Sequence, residues 1–172
     1  MPAPSTRGTS PWLWVGLGGL AAGVIDITYA AGFWYLRAGV PPTRIFQSVA
    51  AGLLGREAAV AGGASTAALG LALHFGIATV VSAVYFAAAR YAAALWQRPW
   101  LFGALYGVGV YGVMHYVVVP LSRAGGAGGR PNPLWDVLSI LVHAVGIGIP
   151  VALAARAARA EARAQGRPRR VA

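Results

Sequence analysis

The sequence has no cysteine, no lysine and only four acidic residues in 172 positions. Without cysteine, disulfides, thiolate catalysis and Cys-ligated metals are excluded. Without lysine, all fourteen basic residues are Arg. Charged residues make up 10% of the chain, against about 25% in a soluble domain. So few charges cannot cover the surface of a soluble domain. What is present is apolar: 58% hydrophobic residues and a mean hydropathy of +0.62. The apolar residues arrive in long blocks and not at the periodicity of a soluble core. Both observations indicate an integral membrane protein, with length for one domain of a few spans.

The formal net charge of +10 and the pI of about 11.3 would suggest nucleic acid in a soluble protein. Here the arginines flank apolar blocks. Topology and anionic lipid account for them, and no nucleic-acid partner is expected.

Along the chain, residues 1–11 read as a disordered leader, rich in Pro, Ser and Thr. The first apolar block is too long for the core of a cleaved signal and carries Asp26, so it is expected to remain as a span. Four spans are predicted, at about 12–36, 64–89, 99–121 and 134–155. Between the first two, residues 42–59 predict an amphipathic helix in the interface plane. Ile45, Phe46, Val49 and Leu53 share one face, and Arg44, Gln47 and Ser48 the other. The Gly- and Pro-rich link SRAGGAGGRPNP must be loop. Residues 156–172 form an Arg-rich tail, with Arg156, Arg159 and Arg163 at helical spacing, followed by Arg167, Arg169 and Arg170.

With the N terminus inside, the inner segments hold nine arginines, namely Arg7, Arg90, Arg98 and the six of the tail. The outer segments hold five, at Arg37, Arg44, Arg56, Arg123 and Arg130. The bias predicts that both termini face the cytoplasm.

Each span contains one ionisable residue of interest: Asp26, His74, His115 and His143. At a rise of 1.5 Å per residue they lie roughly 9–15 Å below the outer ends of their helices. All four fall in the outer half of the bilayer. Small residues share their faces. Gly19 and Gly23 accompany Asp26, and Gly70 accompanies His74. Gly107, Tyr111 and Gly112 accompany His115, and Asp136, Ser139 and Gly146 accompany His143. Small residues mark helix contacts, so the four groups are expected to face inward and to form a buried polar cluster. An ionisable group in hydrocarbon costs a few kcal/mol and should find partners. Ile27, next to Asp26, is expected to face outward. Tyr29 and Tyr111 offer hydroxyls as alternative partners for Asp26.

Such a cluster has several readings. It can simply bind helices together, or line a path for a proton, ion or solute. Three His and one Asp are also possible metal ligands, and His74 and His143 the candidate pair for haem. No HxxH or HExxH spacing supports metal. No cofactor is predicted outright. Asp136, Ser139 and His143 are triad residue types, but they sit on one helix and lack an exposed nucleophile aligned with a base. No catalytic residue is assigned. GLGGLAAG lies inside a span with no preceding strand, so it is a packing motif and not a dinucleotide site.

The segments AAGLLGREAAVAGGASTAALGLALHF and YGVGVYGVMHYVVVPLS are similar to stretches of small four-span bacterial inner-membrane proteins. A more distant similarity is to YagU-type inner-membrane proteins. The resemblance implies a four-helix fold and the bacterial inner membrane, and brings no activity, ligand or site residue with it.

The expectation is therefore an all-α bundle of four transmembrane helices plus one amphipathic helix. The function expected is non-enzymatic: a structural or accessory protein, or a component that moves a small solute or ion. The alternative is a metal- or haem-binding redox protein that uses His74, His115 and His143. The partners expected are lipid, with anionic lipid at the Arg-rich tail, and a homo-oligomer or another membrane protein.

Overall fold

A computed structural model describes residues 10–124 and 132–165. Residues 1–9 of the leader, including Arg7, and Arg130, Arg167, Arg169 and Arg170 lie outside the described residues. Within them the chain is all-α, with no strand. The helices are α1 (Pro11–Ala38), α2 (Pro42–Leu54), α3 (Arg56–Ala61), α4 (Gly63–Tyr91), α5 (Ala93–Gln97), α6 (Pro99–Leu121) and α7 (Pro133–Gln165). Four of them, α1, α4, α6 and α7, are long and apolar enough to cross a membrane. The chain is a multi-pass membrane protein. Below, the end of the bundle where α1 starts is the Ser10 pole, and the end where α1 stops is the Ala38 pole.

Local chemistry sets the helix ends. The Ser10 hydroxyl accepts from the Trp12 amide, and Pro11 takes the first helical position, where no N–H is needed. Gly39 ends α1 at φ 65°, and its N–H returns to the Tyr35 carbonyl. The Asn132 side chain caps α7 by accepting from the Trp135 amide. Gly55, at φ 84°, breaks the predicted single helix 42–59 into α2 and α3.

Of the predicted polar face of α2, Arg44 and Ser48 are exposed and Gln47 is buried; of the apolar face, Ile45, Phe46 and Val49 are half-buried. Gln47, Ala50 and Ala51 are buried, while Leu53 is 54% exposed. The Gln47 amide donates to the Gly63 carbonyl at 2.9 Å, which satisfies it at the joint with α4. The Phe46 carbonyl lies directly against Gly70 of α4, so close that a Cβ at Gly70 would overlap it. A small-residue face thus clamps α2 to the bundle.

α1 and α7 form the centre. α4 packs on α1, and α6 on α7. Glycines set the close approaches. A Cβ at Gly19 would meet the Thr79 backbone at 2.8 Å, and one at Gly23 the Phe75 ring at 2.7 Å. Gly146 receives Ile25. Gly103 and Gly107 of α6 lie against the backbone of Gly148 and His143 in α7. With no hydrophobic drive between helices in lipid, such backbone-to-backbone fits hold the spans together. Gly112 departs from expectation, since nothing lies within 4 Å of the Cβ it lacks. Gly18, Gly103 and Gly148, not predicted, are contact glycines.

Two spans are not regular. α6 widens into a π-helical turn at Met114–Val118, and α7 at His143–Gly148. Each sits just before a proline, Pro120 and Pro150. Proline lacks the N–H for the carbonyl four residues back and its ring crowds that carbonyl. A π turn spreads the ladder there and relieves the conflict.

Candidate polar site toward the Ala38 pole

The expected four-residue Asp/His cluster does not form. Asp26 meets one histidine only: Oδ1 is 3.9 Å from His143 Nδ1, an ion-pair contact too long for a hydrogen bond. The side chains are 23% and 14% exposed, so the pair is not sealed from its surroundings. The same His143 nitrogen lies 2.8 Å from the Ser139 carbonyl one turn back. A carbonyl only accepts, so His143 Nδ1 carries the proton and points it at Ser139. Asp26 stands beside that bond.

His74 is held elsewhere. Its Nε2 donates to the Gly23 carbonyl of α1 at 2.9 Å. This is possible because Gly23 has no side chain to shield its carbonyl from α4. His115 is exposed and stacks on Tyr111, with ring centroids 5.3 Å apart and planes at 16°. By regular spacing it should follow Gly107 and Tyr111 inward. It lies in the π turn, where each residue advances by a smaller angle, and that turns it off the contact face. Among the described residues no three His, Asp or Glu side chains converge on a position for a metal ion. The predicted ligand set therefore does not assemble.

A different arrangement joins α1, α6 and α7 in this half. The Tyr29 hydroxyl lies 3.2 Å from the Ser139 hydroxyl and 3.4 Å from the Trp135 carbonyl. Tyr111 donates to Asp136 at 3.4 Å and sets its ring edge against His143, centroids 5.3 Å apart. Asp136, in the first turn of α7, also lies where a helix favours negative charge. Nearer the pole, Trp135 stacks on Tyr29 at 5.2 Å and touches Phe33 and Trp34 at 5.0 and 5.3 Å. Of the predicted secondary set, Tyr111, Asp136 and Ser139 take part. Ile27, expected to face outward, is buried.

Trp135 is the central residue that sequence reasoning missed. Its signal was available: Tyr29 and Phe33 are one turn apart on α1, and aromatic residues mark span ends. Beneath the polar layer the contact is apolar and tight. Ala22, Ile147, Val151 and Ala152 are buried there, beside the abutting backbones at Gly103 and Gly148. Asp136, Ser139 and His143 are not linked as a triad: Asp136 bonds Tyr111, while His143 bonds a backbone carbonyl. The chain matches no protein-family model, no curated protein and no solved structure.

Proposed function

We propose that the chain is a non-enzymatic structural or accessory protein of the bacterial inner membrane. Its intramembrane polar groups fasten helices together and do not conduct. One observation carries this: Tyr29, His74 and Tyr111 bond across neighbouring helices, and the layer beneath them is closed by apolar side chains and glycine backbones in contact. A conduit needs polar groups on both sides of the midplane and a gap between them.

The same reading takes the chain to be one of the small four-span proteins that its segments resemble. It holds no metal or haem, and both termini face the cytoplasm, following the arginine bias. The test is a proteoliposome assay with a pH-sensitive dye inside and an imposed proton gradient. Dissipation at the rate of empty liposomes is expected. Protein-dependent flux that Asp26→Asn abolishes would overturn the proposal and restore a translocation role. A stoichiometric metal or a Soret band in the purified protein would overturn the cofactor-free reading on its own.

A further inference from the structure

At the Ser10 pole a cleft of about 590 Å³ opens between α1, α4, α5 and α7. That lies within the range, about 300–1,000 Å³, of clefts that hold a single ligand. Its walls are apolar and include Phe86, Ala87 and Ala155, while Arg90, Arg159 and Trp96 stand at its edge. A smaller recess shares Trp96 and Arg159 and adds Arg156 and Arg163. Trp96 orients two of these cations: the guanidinium carbons of Arg163 and Arg159 lie 4.4 and 5.8 Å from its ring centre.

The two poles treat their arginines differently. At the Ala38 pole three of the four described arginines, all but Arg37, hydrogen-bond to the protein. Arg56 donates to the Ala124 carbonyl at 3.1 Å, Arg123 to the Leu53 carbonyl at 3.4 Å and Arg44 to Gln47 at 3.4 Å. At the Ser10 pole, none of Arg90, Arg156, Arg159 and Arg163 makes a hydrogen bond or has a carboxylate partner among the described residues, and the one ion-pair contact among the described residues is Asp26–His143. Glu161, on the same stretch of α7, is bonded to Trp14 at 2.8 Å and to Gln165 at 3.1 Å.

We propose that this cleft binds one anionic phospholipid, with an acyl chain against the alanine-rich walls and the phosphate between Arg90 and Arg159. The charge pattern and the shape select this occupant together. A soluble anion would leave the apolar walls unfilled. A zwitterionic lipid brings its own cation to an edge that already holds Arg90 and Arg159, with Arg156 and Arg163 in the adjoining recess. The cleft also opens where the apolar spans end and tryptophans stand, which is headgroup depth. The site is separate from the polar layer at the other pole, so it stands whether or not that layer conducts.

The experiment is native mass spectrometry of the full chain in detergent with equal phosphatidylglycerol and phosphatidylcholine. Retention of one phosphatidylglycerol in preference to phosphatidylcholine is expected. Each arginine near an anionic lipid is worth about a fivefold change in affinity, so Arg90→Gln with Arg159→Gln should weaken retention about 25-fold. Arg37→Gln with Arg44→Gln, at the opposite pole, should leave it unchanged. Ala87→Trp fills the cleft with both arginines intact and should also abolish retention, with circular dichroism verifying that each variant is helical. The proposal is overturned by equal retention of the two lipids, by retention insensitive to Ala87→Trp or to loss of the two arginines, by displacement with glycerol phosphate as effectively as with whole lipid, or by a dimer carrying no lipid.

Discussion

At the scale of single residues, Tyr29, His74 and Tyr111 bond neighbouring helices, and the strength of such bonds is modest. A hydrogen bond between helices in a membrane contributes about 0.6 kcal/mol on average. Tyr29→Phe deletes the hydroxyl and keeps the ring stacked on Trp135, so thermal unfolding in detergent should show a loss of about 0.5–1 kcal/mol. Trp135→Ala removes contacts with three aromatic rings at once. Its loss should be several times larger, about 2–4 kcal/mol. Equal losses in the two variants would show that the hydroxyl and not the ring carries this contact. The sequence made the polar residues easy to find, since an acid or a histidine is conspicuous in an apolar span. Their partners were not legible. Depth along a helix says nothing about which neighbour stands opposite. His74 turned to a backbone carbonyl exposed by Gly23, a partner that carries no side-chain signal at all.

At the scale of the helix, periodicity located the spans, but face assignments failed where regular geometry fails. In α2 the departure is Gln47, read as polar surface but buried with Ala50 and Ala51 where the backbone closes on α4. His115 left the expected face at a π turn whose cause, Pro120, was in plain sight. Glycine alone did not distinguish contact from open space either, as Gly107 and Gly112 show. That difference supports a direct test. Gly148→Ala drives a methyl into the Gly103 backbone and should cost about 1–3 kcal/mol or prevent assembly. Gly112→Ala meets nothing and should be neutral or stabilise by up to about 1 kcal/mol, by restricting the unfolded chain. Melting temperatures in one detergent compare them, and a stable Gly148→Ala protein would mean that α6 and α7 are less closely apposed than described.

At the scale of the whole molecule, the all-α membrane architecture was legible from composition and block length alone. Those are the properties a bilayer constrains most strongly. The order in space was not. The absence of native cysteine makes orientation simple to check, because each introduced thiol is the only one. In intact cells a membrane-impermeant maleimide should label Ala38→Cys directly, and Gln97→Cys only after permeabilisation. The reverse pattern would invert the topology and leave the four spans in place. A last consequence follows from the arrangement of α4 and α6 on either side of the α1–α7 pair. Where they meet, Tyr106 donates to the Val81 carbonyl at 2.6 Å and sets its ring edge against Tyr85. Mechanically α4 and α6 are two leaves on a common spine, latched by a phenol. Sideways load from a compressed or bent bilayer would fall first on that latch, and the leaves could splay while the spine stayed closed.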